Sequence, residues 1–291
     1  MKENFETSPH PQETLTVKQG ENLIKVIDME GQEREINLDN IKNHWIDFYQ
    51  NHNLPEIVEA LREIKIQLTN QQVEEIKTSV QKGFDFIMLL PPVELQKKLL
   101  NKIVQETSKE FKEVPEAQQY SKKGILLDSN LENSWRPGNI AAKKMTVLHR
   151  PPNQPYLVLL KDTLEVEEDT LNRSARELRN PQLQSYLEGE NKPNIGTLLS
   201  IYNEGKENSG LTSAEYFVFQ KDFLIRHGVH PDTTNGTILL STERRYISEP
   251  NELPVATWNK NDHRIHLFSQ SKMSSSSTIG TRFTKIYKIS S

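Results

Sequence analysis

Two pairs of histidines offer the most specific chemistry in the chain: His227 with His230, and His263 with His266. Neutral imidazole nitrogens bind zinc and other transition metals, so four of them within reach of one ion would make a thiolate-free metal site. Local geometry works against that assembly. Residues three apart on a strand point to opposite faces, which parts His263 from His266 unless a bulge intervenes. His227 falls in the last turn of a helix, where positive charge is favoured, and His230 precedes Pro231 in the outgoing turn.

A second group is rich in oxygen donors: Glu249-Pro250-Asn251, then Trp258-Asn259, then Asn261-Asp262. Carboxylate and amide oxygens are the ligands calcium takes. The same residue types are also the ones that turns favour. Trp135, in the irregular NSWRPGN segment, reads first as core, and of the three tryptophans it is the one placed to line a pocket or interface instead. With Arg136, Lys143, Lys144, His149 and Arg150 it could contact phosphates and stack on a base, but Asp162 and Glu165 follow, so a solvated basic edge is favoured. The chain contains no glycine-rich phosphate loop, no G-x-S-x-G elbow and no H-E-x-x-H pair, so no catalytic residue is assigned.

The Glu249-Pro250-Asn251 tripeptide followed by Trp258, Asn259 and Asp262 resembles the sugar-binding loop of C-type lectins. In that family an EPN and a later WND supply oxygens to calcium. The surrounding pattern is similar to the end of C-type-lectin-like folds over about the last 80 residues. It comprises a TILLST strand, a VATW/RIHLF hairpin and a strand opening at Gly280-Thr281-Arg282. The resemblance implies a ligand-binding scaffold with Glu249, Asn251, Asn259 and Asp262 at its site. Here Lys260 and Asn261 interrupt the WND, and the family's disulfide cysteines are missing. The expectation is therefore a scaffold without a cofactor, with calcium or zinc as alternatives.

The element that must position these groups is the helix expected over Leu211 to Gly228. Thr212 and Glu215 form a capping box, Leu211 and Tyr216 a hydrophobic staple, and Gly228 the left-handed end. Phe217, Val218, Leu224 and Ile225 should form one wide apolar face. Beyond it the period changes to two. TILLST (237–242), the hairpin LPVATW/HRIHLF around NKND, and a strand over 279–289 predict a sheet of three or four strands packed on that helix. SQSKMSSSST should be a polar loop, and Asn208-Ser209-Gly210 a linker.

Upstream, 22–28 and 33–38 predict a hairpin turning at Gly31. Three helices should follow. The first is capped by Asp39 or Asn40, the second opens at Pro55 and carries Ile57 to Ile64, and the third is boxed by Thr69 and Gln72. FDFIMLL (84–90) reads as a buried strand before a helix from Pro92, and short strands fit GILL, MTVLH and PYLVLLKD. The acidic run Glu165, Glu167, Glu168, Asp169 should open a helix ending in arginines, and a short helix fits 197–202.

The fold class expected is α+β, with a flexible tail at 1–12, a helix-rich N-terminal α+β region at 13–122 and a C-terminal α+β region of helix on sheet at 123–291, either as two units or as one continuous core. With no cysteine in 291 residues, disulfides and thiolate chemistry are excluded. No signal-like or membrane-length apolar run occurs, so the chain is expected to be cytoplasmic with no membrane partner. A net charge of −4 gives no global pull toward nucleic acid. The function expected is a non-enzymatic module that binds a protein or small molecule through its C-terminal sheet and loops. The alternatives are a hydrolase or other enzyme using histidines and carboxylates, metal-dependent or not, and a nucleic-acid-binding protein.

Overall fold

The computed structural model describes residues 22–96, 98–99, 102–103, 125–127, 145–147, 153–171, 209–239, 242–244, 252–259, 264–271 and 276–289. Trp135, Arg136, Lys143, Lys144, His149, Arg150, Glu249, Asn251, Asp262 and His263 lie outside the described residues, as do 1–12 and 197–202. Among the described residues the protein combines helices with antiparallel sheet, an α+β architecture. No helix among them is long and apolar enough to cross a membrane.

The first hairpin forms as its turn chemistry dictates. β1 (Leu23–Ile27) pairs antiparallel with β2 (Glu33–Asn37), and Gly31 takes φ 78 in the turn. Asp28 accepts the backbone N–H groups of Glu30 and Gln32, at 2.9 and 2.8 Å, and pairs with Arg34. Helix α1 (Leu38–Asn51) starts earlier than its charged residues imply. Asn37, not Asp39 or Asn40, is the cap, and its side-chain oxygen accepts from both of their backbone N–H groups. Leu38 is thereby drawn out of the strand into the helix. Helix α2 (Pro55–Arg62) has its proline in the first turn, and Ile64 lies beyond its end. Helix α3 (Asn70–Val80) carries the Thr69/Gln72 capping box. A further helical stretch, described at 93–96, 98–99 and 102–103, buries Leu99 and Ile103.

The remaining strands form two main sheets. One runs β3 (Phe86–Leu90), β6 (Tyr156–Leu160), β13 (Phe283–Lys288), β7 (Ser209–Gly210), all antiparallel. The other runs β12 (Ile279–Gly280), β8 (Gly236–Ile238), β10 (Glu252–Asn259), β11 (Arg264–Ser271), β4 (Ile125–Leu127), with parallel pairs at both edges. β5 (Met145–Val147) pairs with β9 (Thr242–Arg244). The β10/β11 hairpin has the expected antiparallel register, Trp258 opposite Ile265. Its second strand continues to Ser271, so Ser269–Ser271 are strand and not loop.

The expected single C-terminal sheet is corrected at three points. The last strand breaks at Thr281-Arg282, sending β12 to one sheet and β13 to the other. TILLST divides between β8 and β9, and Ser209-Gly210, expected as linker, pairs with β13. The physical reason lies in β6. All five of its residues are buried, so the backbone N–H and C=O groups along both of its edges need partners inside the protein, and β3 and β13 supply them. A boundary at 122/123 separates β3 from β6 and β13 in sequence, yet the three share a sheet.

Helix α4 (Ser213–His227) has the expected capping box, and Gly228 closes it at φ 69. Its packing differs from the one-sided face expected. Residues 213–223 are buried all round, while Ile225 is 61% exposed. A helix enclosed on every side must bury its polar residues too, and Glu215, Gln220, Lys221 and Asp222 are buried with the aromatics. The outer edge of β3 is covered by α1. Trp45 Nε1 donates to the Ile87 carbonyl at 3.0 Å, and the Tyr49 hydroxyl donates to the Leu89 carbonyl at 2.9 Å. One cluster of buried side chains extends from Ile24 to Ile289.

Candidate functional site

Polar chemistry converges around α4 in three places. The first is a buried ion pair. Asp232, in a left-handed conformation at φ 55, directs its carboxylate to Arg282, with Nη2 to Oδ1 2.7 Å and Nε to Oδ2 3.3 Å. Thr237 adds a 2.6 Å hydrogen bond, and the far side of Arg282 donates to the Thr163 hydroxyl at 3.0 Å. The guanidinium lies 4.8 Å above the Phe219 ring. Burial pushes the Asp232 carboxyl up from its ordinary value, against the opposing pull of Arg282 and Thr237. Burial also raises the Tyr216 hydroxyl well above its usual range, and the Asp232 charge adds to it.

The acidic run supports this pair, in a way that corrects its reading as a helix start. Residues 164–167 are not helical, and only Glu168–Thr170 make a short 3-10 turn. Glu165 instead collects the backbone N–H groups of Thr233, Thr234 and Asn235 at 3.0 to 3.2 Å, plus the Thr233 hydroxyl at 2.8 Å. Glu167 accepts from Lys161 at 2.6 Å and from the Phe283 N–H at 3.3 Å. Three successive N–H groups aimed at one point favour an anion, and here the chain provides its own. The loop 232–236 is thus held from below by Asp232 and from the side by Glu165.

The second place is a relay in the core. Gln96 donates to the Tyr156 hydroxyl at 2.6 Å, and Tyr156 donates to Glu215 Oε1 at 2.8 Å. The other Glu215 oxygen takes the Thr212 N–H of the capping box at 2.8 Å. The third is an ion cluster at the C-terminal end of α4. Arg226 joins Asp162 and Asp222, with Nη1 and Nη2 on the first at 2.5 and 3.0 Å and Nε on the second at 2.5 Å. His44 approaches Asp222 at 2.9 Å, and His227 approaches Asp162 at 3.2 Å. Burial alone would raise Asp162, but the hydrogen bonds and charge of Arg226, aided by His227, hold it below the usual carboxylate value.

Of the residues expected to do chemistry, His227, His230, Asn259 and His266 are among the described residues. His227 belongs to the ion cluster. His230 stacks on Trp258, with ring centroids 3.5 Å apart, and its Nδ1 lies at 2.5 Å from Gln220 Nε2. His227 and His230 therefore face different partners. His266, half-buried on β11, is opposite Thr257, and Asn259 closes β10. Among the described residues no group of three or more His, Asp or Glu side chains is placed to hold a metal ion. Asp232 and Arg282 were not singled out by the sequence. The available signal was Asp232 itself in the Pro231 to Gly236 turn, since aspartate tolerates a left-handed backbone. Comparison with protein families, curated proteins and solved structures finds no match to this chain.

Proposed function

We propose that the chain is a non-enzymatic binding module whose recognition surface is formed by the C-terminal sheet and the loop 232–236. The observation that carries this reading is the destination of the convergent titratable groups. Asp232, Arg282, Glu215 and Asp222 are almost fully buried and satisfy one another and the backbone. An enzyme needs such groups facing a substrate in a cleft. Here they tie loops and helices together. The loop they fix carries exposed Thr234 and half-exposed Asn235, next to the Trp258–Asn259 end of the hairpin. A polar loop locked on a rigid sheet binds without an ordering cost.

The test pairs two measurements. A photo-reactive residue at Thr234 should give a saturable cross-link that excess unmodified protein suppresses, whereas the same group at Lys82 should not. Thermal unfolding should be unchanged between chelator, added calcium and added zinc. A zinc-specific rise lost in His230→Ala, or a calcium-specific rise lost in Glu249→Ala, sinks the metal-free reading. A bound ion at 100 times its Kd would stabilise by about 2.7 kcal/mol.

A further inference from the structure

We propose that the outer edge of β2 is a second interaction surface, one that takes an extended basic segment of a partner as an added strand. The register of the hairpin shows which backbone groups that edge offers. Leu38 N–H donates to the Asn22 carbonyl and Asp28 N–H to the Gln32 carbonyl, so the hydrogen-bonded pairs of β1 and β2 fall at even numbers. Antiparallel pairs alternate, and the odd-numbered residues of β2 therefore turn their N–H and C=O groups away from β1. Among the described residues no strand lies beyond β2, and the outward groups of Glu33 and Glu35 are unpaired. Main-chain donors and acceptors set in a row along an exposed edge are a template for strand addition.

The charges along that edge choose the partner. Glu33 and Glu35 lie on the exposed face of the hairpin, with side chains 68% and 53% exposed. Both reach the one ammonium of Lys25, at 3.6 and 3.8 Å, which leaves a carboxylate in excess. Arg34, between them, points to the other face and is taken up by Asp28 and Glu30. Residues opposite each other on paired strands share a face, so an incoming strand sets two alternate side chains against Glu33 and Glu35. Lysine or arginine at those two positions completes the ion pairs. A second copy of the chain does not fit. β2 laid antiparallel on itself brings Glu33 against Glu35, or Glu35 against its own copy, and like charges directly opposite destabilise a sheet. Ile24 and Val26 are buried on the hairpin's other face, which holds the edge in place before a partner arrives.

The test uses the full chain and two acetylated, amidated peptides, Thr-Lys-Thr-Lys-Thr and Thr-Glu-Thr-Glu-Thr, with amide exchange followed by nuclear magnetic resonance. The lysine peptide should slow exchange at Glu33 and Glu35 saturably, about tenfold at about ten times its half-saturation concentration. Arg34 and Ile36, whose N–H groups already face β1, should not change, and the glutamate peptide should slow none of the four. In the double variant Glu33→Gln, Glu35→Gln the lysine peptide should lose its advantage over the glutamate peptide, while unchanged exchange at Arg34 and Ile36 shows that the hairpin still stands. No saturable slowing by the lysine peptide overturns the proposal, and so does equal slowing by both peptides on the wild type. Protection at Glu33 and Glu35 that rises with protein concentration in the absence of peptide also overturns it, since a second copy would then hold the edge.

Discussion

At the scale of single residues, the chain's ionisable side chains act as ties between segments distant in sequence. Asp162 illustrates the energetics. It follows β6, while its partners Arg226 and His227 end α4, and its side chain is 17% exposed. Its carboxyl titrates below the ordinary value because Arg226 outweighs the effect of burial. A carboxylate whose folded pKa is depressed contributes stability above its unfolded pKa, and that contribution disappears as pH falls through the folded value. Asp162→Asn should therefore cost about 1 kcal/mol at pH 7, the scale of a screened ion pair. The gap between variant and wild type should close as pH drops below about 3, beneath the ordinary aspartate range. Urea midpoints measured at both pH values check this. A gap that persists in acid would mean that the asparagine disturbs packing and not charge.

At the scale of elements, helix starts and turns follow local rules, and most of these were legible, with the Asn37 cap of α1 an exception. The Thr69/Gln72 and Thr212/Glu215 boxes, Pro55 in the first turn of α2 and the left-handed Gly31 and Gly228 all stand where short-range spacing puts them. What was not legible is whatever depends on a distant partner. Arg282 meets Asp232 fifty residues away, and β13 chooses β6 over its neighbour β12. Neither choice leaves a trace in local periodicity. The acidic run misled for the same reason: four carboxylates at the right spacing look like a helix start, but Glu165 and Glu167 are claimed by backbone donors 68 and 116 residues on. None of the expected site residues outside the described segments bears on this. Gly280 is a further case of a hidden neighbour. A Cβ there would sit 2.4 Å from the Thr170 hydroxyl and 3.0 Å from Val166. That hydroxyl also takes the Thr281 N–H at 3.0 Å, so it cannot swing away freely. Gly280→Ala should destabilise by about 1 to 3 kcal/mol, the usual cost of overpacking. Chemical denaturation measures it, and a loss under 0.5 kcal/mol would show that the 168–171 turn yields easily.

At the scale of the whole molecule, the question is whether the N-terminal helices and the C-terminal strands fold separately. Their shared sheet argues that they do not. β3 holds Phe86 to Leu90 against β6, and β6 holds Tyr156 to Val158 and Leu159 against β13, so the central strand has one partner from each end of the chain. Removing either partner exposes a strand whose five residues are all buried. α1 packs over the free edge of β3 and reaches α4 through His44, which ties the first helix to the last. Gln72 of α3 likewise donates to the Lys288 carbonyl at 3.0 Å. With no smooth boundary to part along, unfolding should be one transition: far-ultraviolet dichroism and tryptophan fluorescence should give the same urea midpoint, and calorimetric and van't Hoff enthalpies should agree. Cleavage between residues 104 and 124 should leave neither fragment with a cooperative transition after separation, because each would carry an unpaired buried strand. Two separated transitions, or one fragment that melts cooperatively alone, would instead mean that the halves have independent cores and that the β3–β6 pairing is a docking contact between them.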